Sequence, residues 1–244
     1  MQNQFDPRTT TGVNAAATTA SVPRAARDAG LRSYMLSVYN YMASGVLLTG
    51  IVALLFANSG LAAQVLVTPL RWLIIFAPLA FVMVMSFGMN RLSTGTLQLL
   101  FWAFATAMGL SMSSIFLVYT GTSIATTFFA VSVAFLSLSL YGYTTKRDLS
   151  GFGTFLIMGV VGLLVAMVIN IFLQSPAMQM AISAIGVLLF AGLTAYDTQK
   201  IKSMYDYVRG TDMMGKVVIM GALNLYLDFV NMFMFLLQFM GNRR

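Results

Sequence analysis

The chain lacks three residue types that carry much of protein chemistry. Among its 244 residues there is no cysteine and no histidine, and all seven acidic residues are aspartate, so glutamate is missing as well. Without cysteine there is no disulfide and no thiol nucleophile. Without histidine the usual general base, proton switch and zinc ligand are missing. Charged residues reach only 9%, far below the roughly 25% of a soluble domain.

Apolar residues are abundant instead, at 59% of the chain. They form seven runs, each near the ~20 residues that a membrane-crossing helix needs. The runs lie at about 36–57, 70–89, 97–119, 124–143, 152–173, 177–198 and 217–240. The sequence therefore predicts an all-α integral membrane protein, a seven-helix bundle over residues 34–244. Residues 1–33, rich in Thr, Ala and Arg, are predicted to be a disordered cytoplasmic tail.

The basic residues indicate how the spans are oriented. The net charge is +7, but the basic residues lie singly or in pairs between apolar spans, which disfavours nucleic-acid binding. With the N-terminus in the cytoplasm, eleven of the fourteen Lys and Arg residues fall inside, and only Arg71, Arg243 and Arg244 fall outside. This bias predicts a cytoplasmic N-terminus. A re-entrant last helix, which returns the C-terminal arginines to the cytoplasm, stays an alternative.

Two aspartates fall inside apolar spans. Asp228 lies near the middle of the seventh span, in NLYLDFVNMFMFLLQFMG, and Asp197 lies near the inner end of the sixth, in FAGLTAYDTQKIK. Small and polar residues recur around Asp228 at steps of three and four, so they share one helix face. That polar stripe comprises Gly221, Asn224, Asp228, Asn231, Phe235 and Gln238. A weaker stripe on the sixth span comprises Ser183, Gly186, Phe190, Thr194 and Asp197.

Such stripes are expected to face other helices or a water-filled cavity. If the sixth and seventh helices pack as an antiparallel pair with their stripes together, the two carboxylates lie close to each other. One ionised Asp at mid-bilayer costs at least about 2.5–3.5 kcal/mol. Two carboxylates roughly 4 Å apart repel by about 4 kcal/mol at an effective dielectric near 20. The pair is therefore expected to share one proton near neutral pH and to titrate as a unit. Two alternatives stay open: Asp197 as a solvated helix end, and Asp228 as a packing residue bonded to Asn or Tyr.

An anionic pair of this kind attracts cations. Calcium takes six to eight oxygen ligands and favours carboxylates. Asp197 and Asp228 with Asn224 and Asn231 are expected to form an incomplete, weak and transient calcium site, which suits passage better than storage. Arg91, at the inner edge of the second span, is expected to pair with an Asp and close the path. No cofactor is predicted; calcium is the expected permeant ion.

Three blocks of the chain together carry a family resemblance. LNLYLDFVNMFMFLLQFMGNRR, GLTAYDTQKIK and YGYTTKRDLSGFG resemble the bacterial branch of the transmembrane Bax inhibitor motif family, over about residues 30–244. The resemblance implies a seven-helix fold with the last helix central. It implies a multi-pass protein of the bacterial inner membrane that acts as a pH-sensitive calcium leak. The leak is gated by an aspartate pair, here Asp197 and Asp228, with Arg91 nearest to the family's gating arginine. Some members carry a second-helix glutamate, which this chain lacks.

Two other functions, an intramembrane protease and an interaction protein, have some support in the sequence or in the resemblance. Intramembrane aspartyl proteases also place one Asp on each of two helices, and Tyr196-Asp197 imitates one of their motifs. However, their Gly-x-Gly-Asp and Pro-Ala-Leu motifs are absent, so no enzymatic activity is predicted. Some bacterial relatives bind and restrain a membrane-anchored protease. A membrane-embedded interaction protein is therefore the alternative, with the bilayer, calcium and such a protease as its expected partners.

Overall fold

The computed structural model describes residues 24–65 and 67–243, and these residues form helices connected by short turns. The helices are α1 (Arg24–Asn58), α2 (Leu61–Val65), α3 (Leu70–Gly88), α4 (Thr94–Met112), α5 (Ser114–Val118), α6 (Gly121–Thr144), α7 (Ser150–Leu173), α8 (Pro176–Val208) and α9 (Met213–Met240). Seven segments are long and apolar enough to cross a membrane, with α4 and α5 acting as one. The predicted seven-span, all-α architecture is confirmed.

Side-chain caps define several helix starts. Ser93, Thr120 and Ser175 each accept a hydrogen bond from the backbone N–H three residues later. This geometry satisfies a donor that the first turn of a helix leaves free. Before α7 the carboxylate of Asp148 accepts from the N–H of Ser150 at 2.9 Å. The short polar connections of the sequence therefore end one span and start the next.

Two helix ends lie beyond their predicted boundaries. α1 begins at Arg24, so residues 24–33, assigned to the disordered tail, are helical, and that boundary was wrong. α8 continues past Asp197 to Val208 instead of ending near residue 198. The rest of the predicted tail, residues 1–23, lies outside the described residues.

The two extensions pack against each other. The Arg27 guanidinium forms a salt bridge with the Asp206 carboxylate, donating from Nε at 2.8 Å. The Tyr34 hydroxyl donates to the carbonyl oxygen of Ile201 at 3.2 Å, and its ring lies 5.4 Å from the ring of Tyr205. These partners are more than 160 residues apart in sequence, so a local pattern cannot reveal that they prolong both helices.

α9 lies at the centre of the bundle, as the resemblance implied. It packs most extensively on α8 and also contacts α1, α6 and α4. Most of its side chains are buried, including Tyr226, Phe229 and Leu237. α3 and α7 lie at the periphery: α3 packs mainly on α4, and α7 mainly on α8. Their exposed Leu, Ile and Phe side chains suit a surface that faces lipid.

The bundle has one end rich in basic residues, called here the basic end. It contains the start of α1, the turn between α8 and α9, and the α3–α4 and α6–α7 connections. The described basic residues there are Arg27, Arg32, Arg91, Lys146, Arg147, Lys200, Lys202, Arg209 and Lys216, against Arg71 and Arg243 at the opposite end. α9 runs unbroken between the ends, and Asn242 bonds to Thr120 and Ser123. The re-entrant alternative for the last helix was therefore wrong.

Candidate functional site

Asp228 is buried inside the central helix. Its side chain is 4% exposed, and its Oδ2 atom has no hydrogen-bond partner among the described residues. An unsatisfied buried carboxylate oxygen is costly unless a proton or cation neutralises it. The alternative in which Asp228 is held by Asn or Tyr for packing is not supported, because no such bond reaches Oδ2.

The predicted polar stripe of α9 lies against α8. A Cβ atom built on Gly221 would lie 3.3 Å from Ile201, and one built on Gly186 would lie 2.6 Å from Phe235. The rings of Phe190 and Phe235 stack with centroids 5.8 Å apart. Because Gly221 and Phe235 each lie seven residues from Asp228, two helical turns away, all three share one face of α9. That face therefore carries Asp228 toward α8.

The same contacts define the register of the two antiparallel helices. With Gly186 beside Phe235 and Ile201 beside Gly221, Asp197 lies near the level of Asn224, and Asp228 lies near the level of Thr194. The two aspartates are thus offset by about one turn, or ~5 Å along the axes. The structure brings the two predicted residues to one seam, whereas the shared proton stays a prediction.

Asp197 is half-buried, and it lies about three turns before the end of α8. The alternative of a solvated helix end was therefore wrong. Directly after it, the buried Thr198 hydroxyl bonds to Ser139 of α6 at 3.1 Å. Gly142 on the same face of α6 lies against the backbone of Ala195. α6 therefore holds α8 closely at the level of Asp197.

The seam is closed toward the opposite end. Beyond Asp228, the Phe190–Phe235 stack fills the space between the helices. Past this stack lies a polar cavity of about 460 Å3. It is bordered by a chain of amides, in which Asn170 donates to Gln179 at 3.1 Å and Gln179 donates to Gln238 at 2.7 Å. Two aromatic rings thus separate the aspartates from this cavity.

The other predicted site residues take different places. Asn224 and Asn231 are half-buried on the Asp228 face, although the described residues contain no group of three acidic or metal-binding side chains. Arg91 is exposed in the turn after α3, and in the described part of the chain the only salt bridge is Arg27–Asp206. Pairing of Arg91 with an Asp is thus absent from this conformation and stays a prediction for another.

A second buried polar group in α9, the hydroxyl of Tyr226, was not predicted from the sequence. Tyr226 is fully buried, and its hydroxyl lies 2.6 Å from Thr49 of α1, which donates in turn to the carbonyl oxygen of Ala105 at 2.8 Å. The rings of Phe101 and Phe104 pack edge-on against Tyr226. The only available signal was a tyrosine two residues before Asp228, which in an apolar run cannot be told from lipid-facing aromatics.

Residues 31–244 match the family described as "Inhibitor of apoptosis-promoting Bax1". The chain belongs to the Bax inhibitor family. This Bax inhibitor family member is 49% identical over 220 residues to the inner membrane protein YbhL of Escherichia coli K12, covering 88% of this chain and 94% of YbhL. It is 48% identical over 219 residues to RP147 of Rickettsia prowazekii, covering 89% and 92%.

A third relative comes from Caulobacter vibrioides, 47% identical over 232 residues, covering 89% of this chain and 91% of that protein. None of the three is named for an enzymatic activity. Family membership over nearly the whole described chain, together with seven membrane-length helices, identifies this Bax inhibitor family protein as a multi-pass membrane protein.

Proposed function

We propose that the protein is a pH-sensitive calcium leak channel of the inner membrane, gated by Asp197 and Asp228. The observation that carries the proposal is the unsatisfied carboxylate oxygen of Asp228, buried at the α8–α9 seam about one turn from Asp197. A lone buried carboxylate without a partner is unfavourable for stability. Acidic groups within membrane helices are typical of ion and proton pathways.

The ligand set suits transient occupancy by a hard cation. Two carboxylates, with the half-buried residues Asn224 and Asn231 on the same face of α9, provide fewer oxygens than the six to eight that calcium prefers. Water must then supply the remaining ligands. A site that is favourable enough to enter but too incomplete to retain the ion supports conduction.

Protonation is expected to close the path. When the pair binds protons it loses the negative charge that attracts a cation, so calcium flux should fall as the pH falls. The Phe190–Phe235 stack supports reading this conformation as closed, because apolar constrictions block ions by excluding water. Opening then requires α8 and α9 to separate at this level. Pairing of Arg91 with an ionised Asp would close the path in a second way, independent of protonation.

The distribution of charge supports an orientation with the basic end in the cytoplasm. The N-terminus of α1 and the α8–α9 turn then lie inside, and Asn242 and Arg243 lie outside. The aspartates lean toward the cytoplasmic half, since Asp197 lies about three turns from the end of α8 at the basic end. Calcium reaching them from outside would first pass the amide-bordered cavity and the phenylalanine stack.

The test is calcium flux into dye-loaded proteoliposomes between pH 5 and pH 8. Asp228→Asn and Asp197→Asn should each change the flux and its dependence on pH, because an amide cannot titrate and the remaining carboxylate loses the charged neighbour that repels it. The matched control is Asp212→Asn, an exposed aspartate in the α8–α9 turn, which should retain the wild-type profile. An unchanged pH profile in both seam variants would refute the proposal.

A further inference from the structure

The helices α1 and α6 face each other without packing together. Both contact the central α9, but α1 and α6 are not among the helix pairs with extensive contact. A groove of about 500 Å3, called here the inner groove, separates them near the basic end. Its walls are Arg32, Met35, Leu36 and Tyr39 of α1, and Leu136, Ser139, Leu140 and Tyr143 of α6. Each set follows the spacing of a single helix face.

The inner groove has a charged mouth and an apolar length. Leu36, Leu136 and Leu140 are exposed along it, in segments that cross the membrane. Arg32 lies at the end of the groove nearest the start of α1, before the apolar run of that helix, and it is exposed. Lys202 of α8 adds a second cation beside the mouth, since its Nζ lies 4.8 Å from the centroid of the Tyr143 ring.

The lining of the groove indicates what it can hold. Arg32 to Tyr39 spans seven residues, or ~10 Å of helix, and the groove beside them has a volume of about 500 Å3. Most of its walls are apolar, and its one charged wall residue is the arginine at the mouth. The groove therefore suits a molecule that is apolar along most of its length and anionic at one end.

We propose that the inner groove binds one phospholipid with an anionic head group, its acyl chain between α1 and α6 and its phosphate at Arg32. Basic pockets between membrane helices are known binding places for acidic lipid head groups. A second groove, of about 330 Å3, also has walls from α1 and α6, and it differs from the inner groove in its lining. It is lined by residues such as Val46, Gly50 and Phe128 and has no charged wall, so it has no means to select a head group.

The lipid has a structural consequence for the site. Ser139 lines the inner groove, and its hydroxyl bonds to Thr198, next to Asp197. A lipid in the groove therefore lies beside the residue through which α6 is bonded to α8. Binding does not depend on the proposed calcium flux, so the two proposals can fail separately.

The test measures lipid retained by the purified full-length protein, using native mass spectrometry with phosphatidylglycerol or phosphatidylcholine of identical chains. The wild type should retain phosphatidylglycerol preferentially. Arg32→Gln should reduce that preference about fivefold, as expected for one Arg near an anionic surface, and Leu140→Trp should reduce retention of both lipids by filling the groove. The controls are Arg71→Gln, an exposed arginine of the opposite end, and Val161→Trp, an exposed position on α7.

Three outcomes would overturn the proposal. The first is equal lipid retention and preference in Arg32→Gln, Leu140→Trp and their controls. The second is displacement of phosphatidylglycerol by glycerol phosphate at comparable concentration, which would mean that a free phosphate suffices. The third is disulfide crosslinking between copies through Leu140→Cys, the sole cysteine of that variant, which would mean that a second copy covers the groove.

Discussion

Gly142 of α6 packs directly against the backbone of α8 next to the proposed gate, so Gly142→Ala should loosen that contact. A Cβ atom there would lie 2.9 Å from the carbonyl carbon of Ala195 and nearer still to its oxygen, against 3.4–4 Å for an ordinary contact. The obstacle is backbone, which cannot rotate away, so the helices must separate by a good part of an ångström. Overpacking of this kind costs about 1–3 kcal/mol.

A matched control separates this cost from the effect of replacing glycine. Gly→Ala in a helix interior contributes about 1 kcal/mol of helix propensity, and Gly162 of α7 has no neighbour within 4 Å of a built Cβ. The propensity gain is common to both variants. Gly142→Ala should therefore be less stable than Gly162→Ala by about 1–3 kcal/mol.

The assay is unfolding in a graded denaturing detergent, followed by circular dichroism, with calcium flux measured on the same preparations. Gly142→Ala should also alter flux, because Ser139 and Thr198 bond at the same contact. Adding Ala195→Gly should not restore stability, since the clash involves the carbonyl group and not the methyl group of Ala195. Equal stability of Gly142→Ala and Gly162→Ala would refute the close approach of these helices.

Two further substitutions test contacts of α1. Tyr226→Phe should cost about 1 kcal/mol by removing the hydroxyl that meets Thr49. Thr49→Val should cost less in the Tyr226→Phe background than in the wild type, because only its bond to Ala105 is then left to lose; fully additive losses in the double variant would contradict the bond. Arg27→Gln should lower the unfolding free energy by less than about 1 kcal/mol, because the Arg27–Asp206 pair is exposed; an effect that persists in high salt would contradict an ionic origin.

The sequence was sufficient for the architecture because a bilayer imposes a simple length rule. Seven apolar runs predicted seven spans, and the structure has seven helices of that kind. The stripe around Asp228 correctly predicted a side of α9 that faces another helix, because Gly221 and Phe235 contact α8 and Asp228 between them is buried. A polar row in an apolar helix cannot face lipid at low cost.

The sequence was insufficient where distant contacts decide the structure. In the sequence, the start of α1 and the end of α8 look like polar segments outside the membrane spans. Both remain helical because Arg27 pairs with Asp206 and Tyr34 bonds to Ile201. The bond from Ser139 to Thr198, which holds α8 beside Asp197, joins residues 59 positions apart. Single hydroxyl residues of this kind are common in membrane helices, so their pattern identifies no partner.

The most direct test of the central claim is a double-substitution cycle at the seam, read as the pH profile of calcium flux. If Asp197 and Asp228 titrate as one unit, each single Asn variant should remove the pH-dependent step, and the variant with both changes should behave like either one. A profile in which each substitution removes half of the response, so that the two effects add, would mean that the aspartates bind protons independently and would contradict the shared site.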